Sequence, residues 1–431
     1  MSFQSLAWIV LTRMITQGVM HMRRSRFSGA MVVLTVIAAG ALIATCGGAT
    51  GATPPIVVAE LFPLTGLHAH VGQWFVHGVQ VAVADVNGNG GVLGRQLSVI
   101  TADTGGDPTD AVTAWHTLYL QHPAFEVGPA MPDFDGVAAL YDPAQLVEFT
   151  EAGSNAFDHM TYKYVYRANP SDSTLSISMA YYAIAKHYMT ASLLFESTPN
   201  AFGEVPDLVA AYKRHGGTVL DIEKLAPGQS SYRTEIQKAF ATPPQVVFIA
   251  VSVATANTVF TELGQLGHLN VPFITDNSNG LEFAQAMGLD AASKYLVGAS
   301  GAPPSGPAWQ HYTAMYQKVL GKSQPDTLSE NMYDAVVIAS LAMTDAKSTN
   351  PAVFNEKILD VANPPGTVCY FYSQCIQLLS AGKKISYQGA TGSTGYNQYH
   401  NIFGTWSIEG WTASGQRVQI MTVPASAMST F

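Results

Sequence analysis

The chain has 431 residues, enough for two or three domains with full cores, which excludes a small scaffold held together by disulfides or metal. Charged residues are 12% against a usual share of about 25%, while 48% is hydrophobic, so Ser, Thr, Asn, Gln and Gly replace charge at the surface, as suits an exported protein rather than a disordered one. The formal net charge is −9 and no Lys/Arg cluster lies outside the N-terminus, which argues against nucleic acid as a partner.

In chain order, Arg23, Arg24 and Arg26 precede an uncharged, largely apolar run from Ala30 to Ala44, the layout of a signal peptide over 1–46. The run is shorter than the ~20 residues of a membrane span, so the alternative of a permanent anchor is disfavoured. Ile43-Ala44-Thr45-Cys46-Gly47 resembles a bacterial lipobox, with Thr45 where Gly, Ala or Ser is usual. It predicts lipidation of Cys46 and a membrane tether, with simple cleavage nearby as the alternative. A second apolar patch, Ala7 to Leu11, is not needed by a signal peptide, and initiation at Met20 or Met22 would remove it. Residues 47–55 are small and Pro-containing and read as a tether.

Apolar runs then alternate with amphipathic stretches. Ile56–Phe62 reads as strand, Gly72–Asn87 as helix, Leu97–Ala102 as strand and Thr109–Gln121 as helix. The rhythm resumes after Tyr166 with strands over Ala191–Phe195, Thr218–Lys224 and Val246–Ala250 and helices over Val205–His215 and Ser231–Ala241. Such alternation predicts an α/β fold of parallel sheets covered on both faces, and two sets of it predict two lobes.

The Gly-rich segment Asn87 to Arg95 follows a helix and precedes a strand, the reverse of a phosphate cradle, and reads as a helix stop with a turn. No G-x-x-x-x-G-K-[ST], G-x-S-x-G or H-E-x-x-H sequence occurs. An exported hydrolase would need a nucleophile, a base and an oxyanion site, and no motif supplies them. His68 and His70 lack acidic or thiol neighbours and read as a solvated loop, so the expectation is a non-enzyme with no cofactor and no metal site. Cys369 and Cys375 form an even pair in an exported chain once Cys46 is set aside, which predicts a local disulfide rather than two reduced thiols.

Leu61-Phe62-Pro63-Leu64-Thr65-Gly66, Ala84-Asp85-Val86-Asn87, Gly90-Gly91-Val92-Leu93-Gly94-Arg95 and Thr101-Ala102-Asp103 resemble the opening of the leucine/isoleucine/valine-type substrate-binding proteins of ABC transporters. The likeness continues in order through Val127-Gly128-Pro129, Tyr166 to Asp172, Tyr333-Asp334-Ala335 and Ile385 to Gly392. The resemblance implies a type I periplasmic-binding fold: two doubly wound Rossmann-like lobes joined by three crossovers, with a ligand between them. It places the crossovers near Arg167–Ser171, Val297–Gly301 and Asn397–Ile402, lobe I over 56–167 and 301–397, and lobe II over 168–300 and 398–431. It further implies a small polar organic ligand, a branched-chain or other amino acid, handed to a transporter permease, or else a sensory role, or binding of an amide or aromatic acid.

The same resemblance picks out the pocket. Val71 stands where relatives hold a large aromatic. Met131 and Asp133 lie in a loop where relatives offer a hydroxyl, and Asp133 is otherwise a helix N-cap. Ala152, Gly153 and Ser154 fall where the family grips a carboxylate with a hydroxyl and backbone amides, with a turn serine as the alternative for Ser154. On the other side, Phe202 replaces a ligand-contacting Tyr, Ser252 or Val253 replaces another, and Asp276 with Asn277 follows the expected strand Val271–Thr275 where relatives pair the ammonium.

Overall fold

A computed structural model describes residues 53–428, apart from 67, 277–279 and 393 and the side chains of 199 and 200. The segment 1–46 with Cys46, most of the expected tether and Asn277 lie outside the described residues. Among the described residues no helix is long and apolar enough to cross a membrane.

The first apolar run forms β1 (Ile56–Phe62), and its near-continuous Val, Ile, Leu and Phe content reflects burial on both faces of a parallel sheet. With β2 (Leu97–Asp103), β3 (Phe125–Val127), β4 (Val147–Thr150) and β5 (Val165–Arg167) it makes a five-stranded parallel sheet in the order β2-β1-β3-β4-β5. A second sheet begins with β6 (Thr190–Glu196), β7 (Thr218–Leu225), β8 (Val246–Ala250), β9 (Phe273–Thr275) and β10 (Leu296–Gly301), again parallel.

A small parallel pair, β11 (Thr367–Cys369) and β12 (Ile385–Tyr387), follows, with a disulfide joining Cys369 to Cys375 across a Cα separation of 5.4 Å. The ribbon β13 (Trp406–Trp411) and β14 (Arg417–Val423) then adds antiparallel to β10, completing the order β14-β13-β10-β9-β8-β6-β7.

Each sheet is doubly wound. One face of the first packs Val58, Phe62 and Phe125 against the helices Ala69–Gly88 and Ser329–Ala346, and the other packs Leu61 against Trp115 and Tyr141. The second sheet carries its own cores on both faces, one through Leu193 and Phe248 and the other through Val247 and Phe273. The chain passes between the two sheets three times, after β5, after β10 and before β13. Residues 297–301, near which a crossing is expected, belong to β10, paired with β13 throughout and with β9 as far as Gly298, and the chain crosses just beyond them. The third crossing is tied to both of the others, since Arg167 N donates to His400 O at 2.9 Å and Ala302 N donates to Thr405 O at 3.0 Å.

Two of the quoted family motifs meet in the core. Buried Asp334 accepts hydrogen bonds from the Tyr387 hydroxyl at 2.7 Å, Ala390 N and Thr391 N at 2.9 Å, and Thr391 Oγ1 at 2.8 Å, so the segment 387–391 is folded around one carboxylate. The Gly-rich stretch is a turn, as its position after a helix implied: the helix ends at Gly88 and Val92 N donates to Arg95 O at 2.8 Å before β2.

Candidate functional site

In each sheet the strand order reverses beside its first strand, between β1 and β3 in one and β6 and β8 in the other. A crevice opens at the carboxyl ends of parallel strands at such a reversal, and the loops there bind ligands. A cavity of about 600 Å³ lies at this place, a volume suited to a small organic molecule.

From the first sheet, Val71 and Phe75 enter after β1, Ala130 and Met131 after β3, and Glu151, Gly153, Ser154 and Asn155 after β4. Gly203 and Glu204 come from the segment after β6, Asn169 and Asp172 from the first crossing, and Leu328 from the turn before the helix Ser329–Ala346.

The backbone here needs glycine at one position and passes close to a side chain at another. Gly128 has φ +91°, and a Cβ on it would stand 2.3 Å from Leu61 O and 2.5 Å from the Phe62 ring. A Cβ on Gly153 would come within 2.6 Å of Asp172 Oδ1, while Asp172 N donates to Gly153 O at 2.8 Å. The 151–155 loop and the start of the helix Asp172–Ala185 are therefore in direct contact.

Arg167 organises that loop from behind. It is fully buried, and its guanidinium donates to Ala152 O at 2.8 Å, to Ser154 O, to Asp158 Oδ1 at 2.5 Å and to Asn401 Oδ1 at 3.4 Å. Across the cleft, Asn155 Nδ2 donates to Gly203 O at 2.9 Å and to Asp207 Oδ2 at 3.4 Å, a direct contact between the lobes.

The ionisable side chains of the lining are acids. Burial pushes the Glu151 carboxyl up to about 8, against a hydrogen bond from Asn331 and with Glu330 adding to the shift. Burial, then the charges of Asp276 and Asp172, push Glu204 up to about 9.

Of the residues singled out from sequence, Val71, Met131, Gly153 and Ser154 line this cavity. Ser154 Oγ also accepts from Ala156 N at 3.3 Å, so it caps the short turn that follows it. Ala152 is wholly buried and contributes its carbonyl to Arg167. Asp276 is buried directly after β9, within electrostatic reach of Glu204.

Others are placed elsewhere. Asp133 neither caps a helix nor lines the cavity; its buried carboxylate takes the hydroxyl of Thr104, a donor 29 residues away in sequence. Ser252 caps the helix Val253–Gln265 and donates to Glu196 Oε1 at 2.8 Å, and neither it nor Val253 reaches the cavity. Phe202 lies under the Lys224 ammonium at 4.5 Å, and its neighbour Gly203 meets the cavity instead. Glu151, Asn155, Asp172 and Glu204 are not read as pocket side chains from sequence; the signal available is that Glu151 and Asn155 flank the Ala152 to Ser154 turn and that Asp172 closes the quoted motif from Tyr166.

Comparison with known proteins gives a consistent result. The chain is 27% identical over 371 residues, 79% of its length and 83% of the relative's, to a chemotactic signal transduction system substrate-binding protein of Halobacterium salinarum. It is 22% identical over 343 residues, 77% of its length and 90% of the relative's, to a Leu/Ile/Val-binding protein homolog of Brucella melitensis. Its fold matches that of an ABC transporter substrate-binding protein from Desulfitobacterium hafniense solved in complex with Leu, with a TM-score of 0.62 at 19% identity, covering 85% of this chain and 100% of that one. A family model described as periplasmic binding protein matches residues 55–373. With two doubly wound lobes and that match over most of its length, the chain belongs to the periplasmic binding protein family and has its type I fold.

Proposed function

We propose that this chain is an exported solute-binding protein that closes its two lobes over a small polar organic solute bearing an amino group, of the amino-acid class and its derivatives, for delivery to an ABC transporter permease. The observation that carries the reading is the cavity of about 600 Å³ at the carboxyl ends of both sheets, bridged by the Asn155 to Gly203 hydrogen bond. A ligand there touches both lobes at once and favours the closed arrangement through contacts that an open one lacks. Ser154 and the Gly153 backbone face it from lobe one, and Glu204 with Asp276 behind it from lobe two.

A thermal-shift screen of amino acids, their amides, amines and organic acids tests this. A true ligand at 100 times its Kd stabilises by about 2.7 kcal/mol. If no member of the panel moves the melting midpoint, the reading fails.

The Arg-rich start, the apolar run and Cys46 support export with a lipid tether to the membrane's outer face. Cys46→Ala is expected to release the protein from the membrane fraction or block its processing. An unchanged membrane share would remove the tether from the proposal.

A second reading, a receptor-coupled sensor, is favoured by the name of the Halobacterium relative. Deleting the partner permease separates the two: uptake stops if the chain feeds a transporter, while a behavioural response to the ligand persists if it feeds a receptor.

A further inference from the structure

The ionisable groups that line the cleft are all acids among the described residues, because Glu151, Asp172 and Glu204 line it and no lysine, arginine or histidine does. Arg167 lies behind the loop, and its donors go to Ala152, Ser154, Asp158 and Asn401 rather than toward the cavity. Two carboxylate oxygens are left waiting. Glu151 Oε1 and Glu204 Oε2 have no hydrogen-bond partner, although their residues are only 5% and 9% exposed. A buried acceptor without a donor is costly, and here both belong to residues that line an open cavity from opposite lobes.

A free amino acid fits this arrangement poorly. Its ammonium has partners at Glu204, but its carboxylate must go somewhere, and the open backbone at Gly153 and Ser154 is flanked by acids. Asp172 Oδ1 stands so close that a single Cβ on Gly153 would meet it at 2.6 Å, and Glu151 lines the same end of the cavity. Burial by itself keeps Glu151 and Glu204 protonated at neutral pH; a ligand cation draws them into the charged form, a ligand carboxylate beside Asp172 and Glu151 works against it, and N–H groups supply the donors that Glu151 and Asp172 can accept.

Resting on the reading that this cleft is the solute site, we infer that its ligand is an organic cation without a free carboxylate, carrying N–H donors at both ends, in the manner of an amino-acid amide or a short diamine. Glu204 takes the ammonium from lobe two. Asp172 and Glu151 take the second donor group from lobe one, and Ser154 holds a carbonyl oxygen where one is present.

Calorimetry on the whole mature chain with leucine, leucinamide, 3-methylbutylamine and 1,4-diaminobutane tests the inference, with circular dichroism to show that each variant is folded. Leucinamide or 1,4-diaminobutane is expected to bind at least about tenfold more tightly than leucine, the scale of one charge-assisted hydrogen bond gained in place of a repulsion. Glu204→Gln is expected to weaken that binding by roughly tenfold or more, and Asp172→Asn to narrow the gap between leucinamide and leucine. Leucine binding as tightly as its amide would overturn the inference while leaving the solute-binding reading intact. Silence from all four compounds and from the wider thermal-shift panel would overturn both.

Discussion

Arg167→Ala is expected to lower stability by about 3–5 kcal/mol, the cost of breaking a buried ion pair by removing one partner. Asp158 would lose the Nη1 contact at 2.5 Å and keep only the Ser173 hydroxyl at 2.6 Å. The carbonyls of Ala152 and Ser154 would lose their donors in the same step. Arg167→Lys keeps the charge but not the planar fork that reaches four acceptors, so an intermediate loss is expected. Denaturant melts of the three proteins measure this, and a loss below about 1 kcal/mol for the alanine variant would show that the guanidinium does not organise the hinge.

The second large effect is a loss of stability as pH rises. Glu126 on β3 and Glu148 on β4 are in register, side by side and fully buried, with the Tyr141 hydroxyl donating to Glu126 at 2.6 Å and no cation beside them among the described residues. Burial pushes Glu126 up to about 8, and burial together with the Glu126 charge holds Glu148 well above the carboxylate range. The folded state therefore keeps protons that the unfolded chain releases near pH 4.5. The contribution of the pair is fully present below that value and drains away as pH climbs toward 8 and beyond, by about 1.4 kcal/mol per pH unit for each proton retained.

Glu148→Gln keeps the volume and removes one titrating group, so it is expected to match wild type near pH 4.5 and to exceed it by several kcal/mol near pH 8. Glu60, Glu151 and Glu204 are raised in the same direction and preserve part of the slope in the variant. Urea melts at three pH values decide it: parallel stability curves for the two proteins would refute proton retention by this buried pair.

The architecture was legible because buried parallel strands announce themselves. Val246–Ala250 is a continuous apolar run and Ile56–Phe62 is one broken only by Glu60, and the structure keeps both limits. Boundaries slipped where tertiary contacts decide them. The first helix starts at Ala69 rather than Gly72, with His68 at its N-cap making no side-chain bond that sequence could advertise. The helix expected from Ser231 starts at Arg233, because Ser231 Oγ and Tyr232 N are both taken by Glu262, 31 and 30 residues away.

The site was half legible for the same reason. The Gly153 and Ser154 turn is marked by the family resemblance and lines the cavity, whereas Glu204 reads in sequence as ordinary surface charge. Only the packing of two lobes makes it a buried, cavity-lining acid. Asp133 shows the converse, a residue whose neighbours suggested the cleft and whose partner, Thr104, is visible only once β2 and β3 are assembled beside β1.

The three passages between sheets also govern how this chain comes into being. The core of the first lobe includes Tyr387, Tyr396 and Ile402, and the second sheet takes its last two strands from Trp406–Trp411 and Arg417–Val423. Neither half closes its interior until nearly the whole polypeptide has been synthesised. A chain still on the ribosome thus stays short of either native core through most of elongation, and commitment to the folded state waits on its last residues.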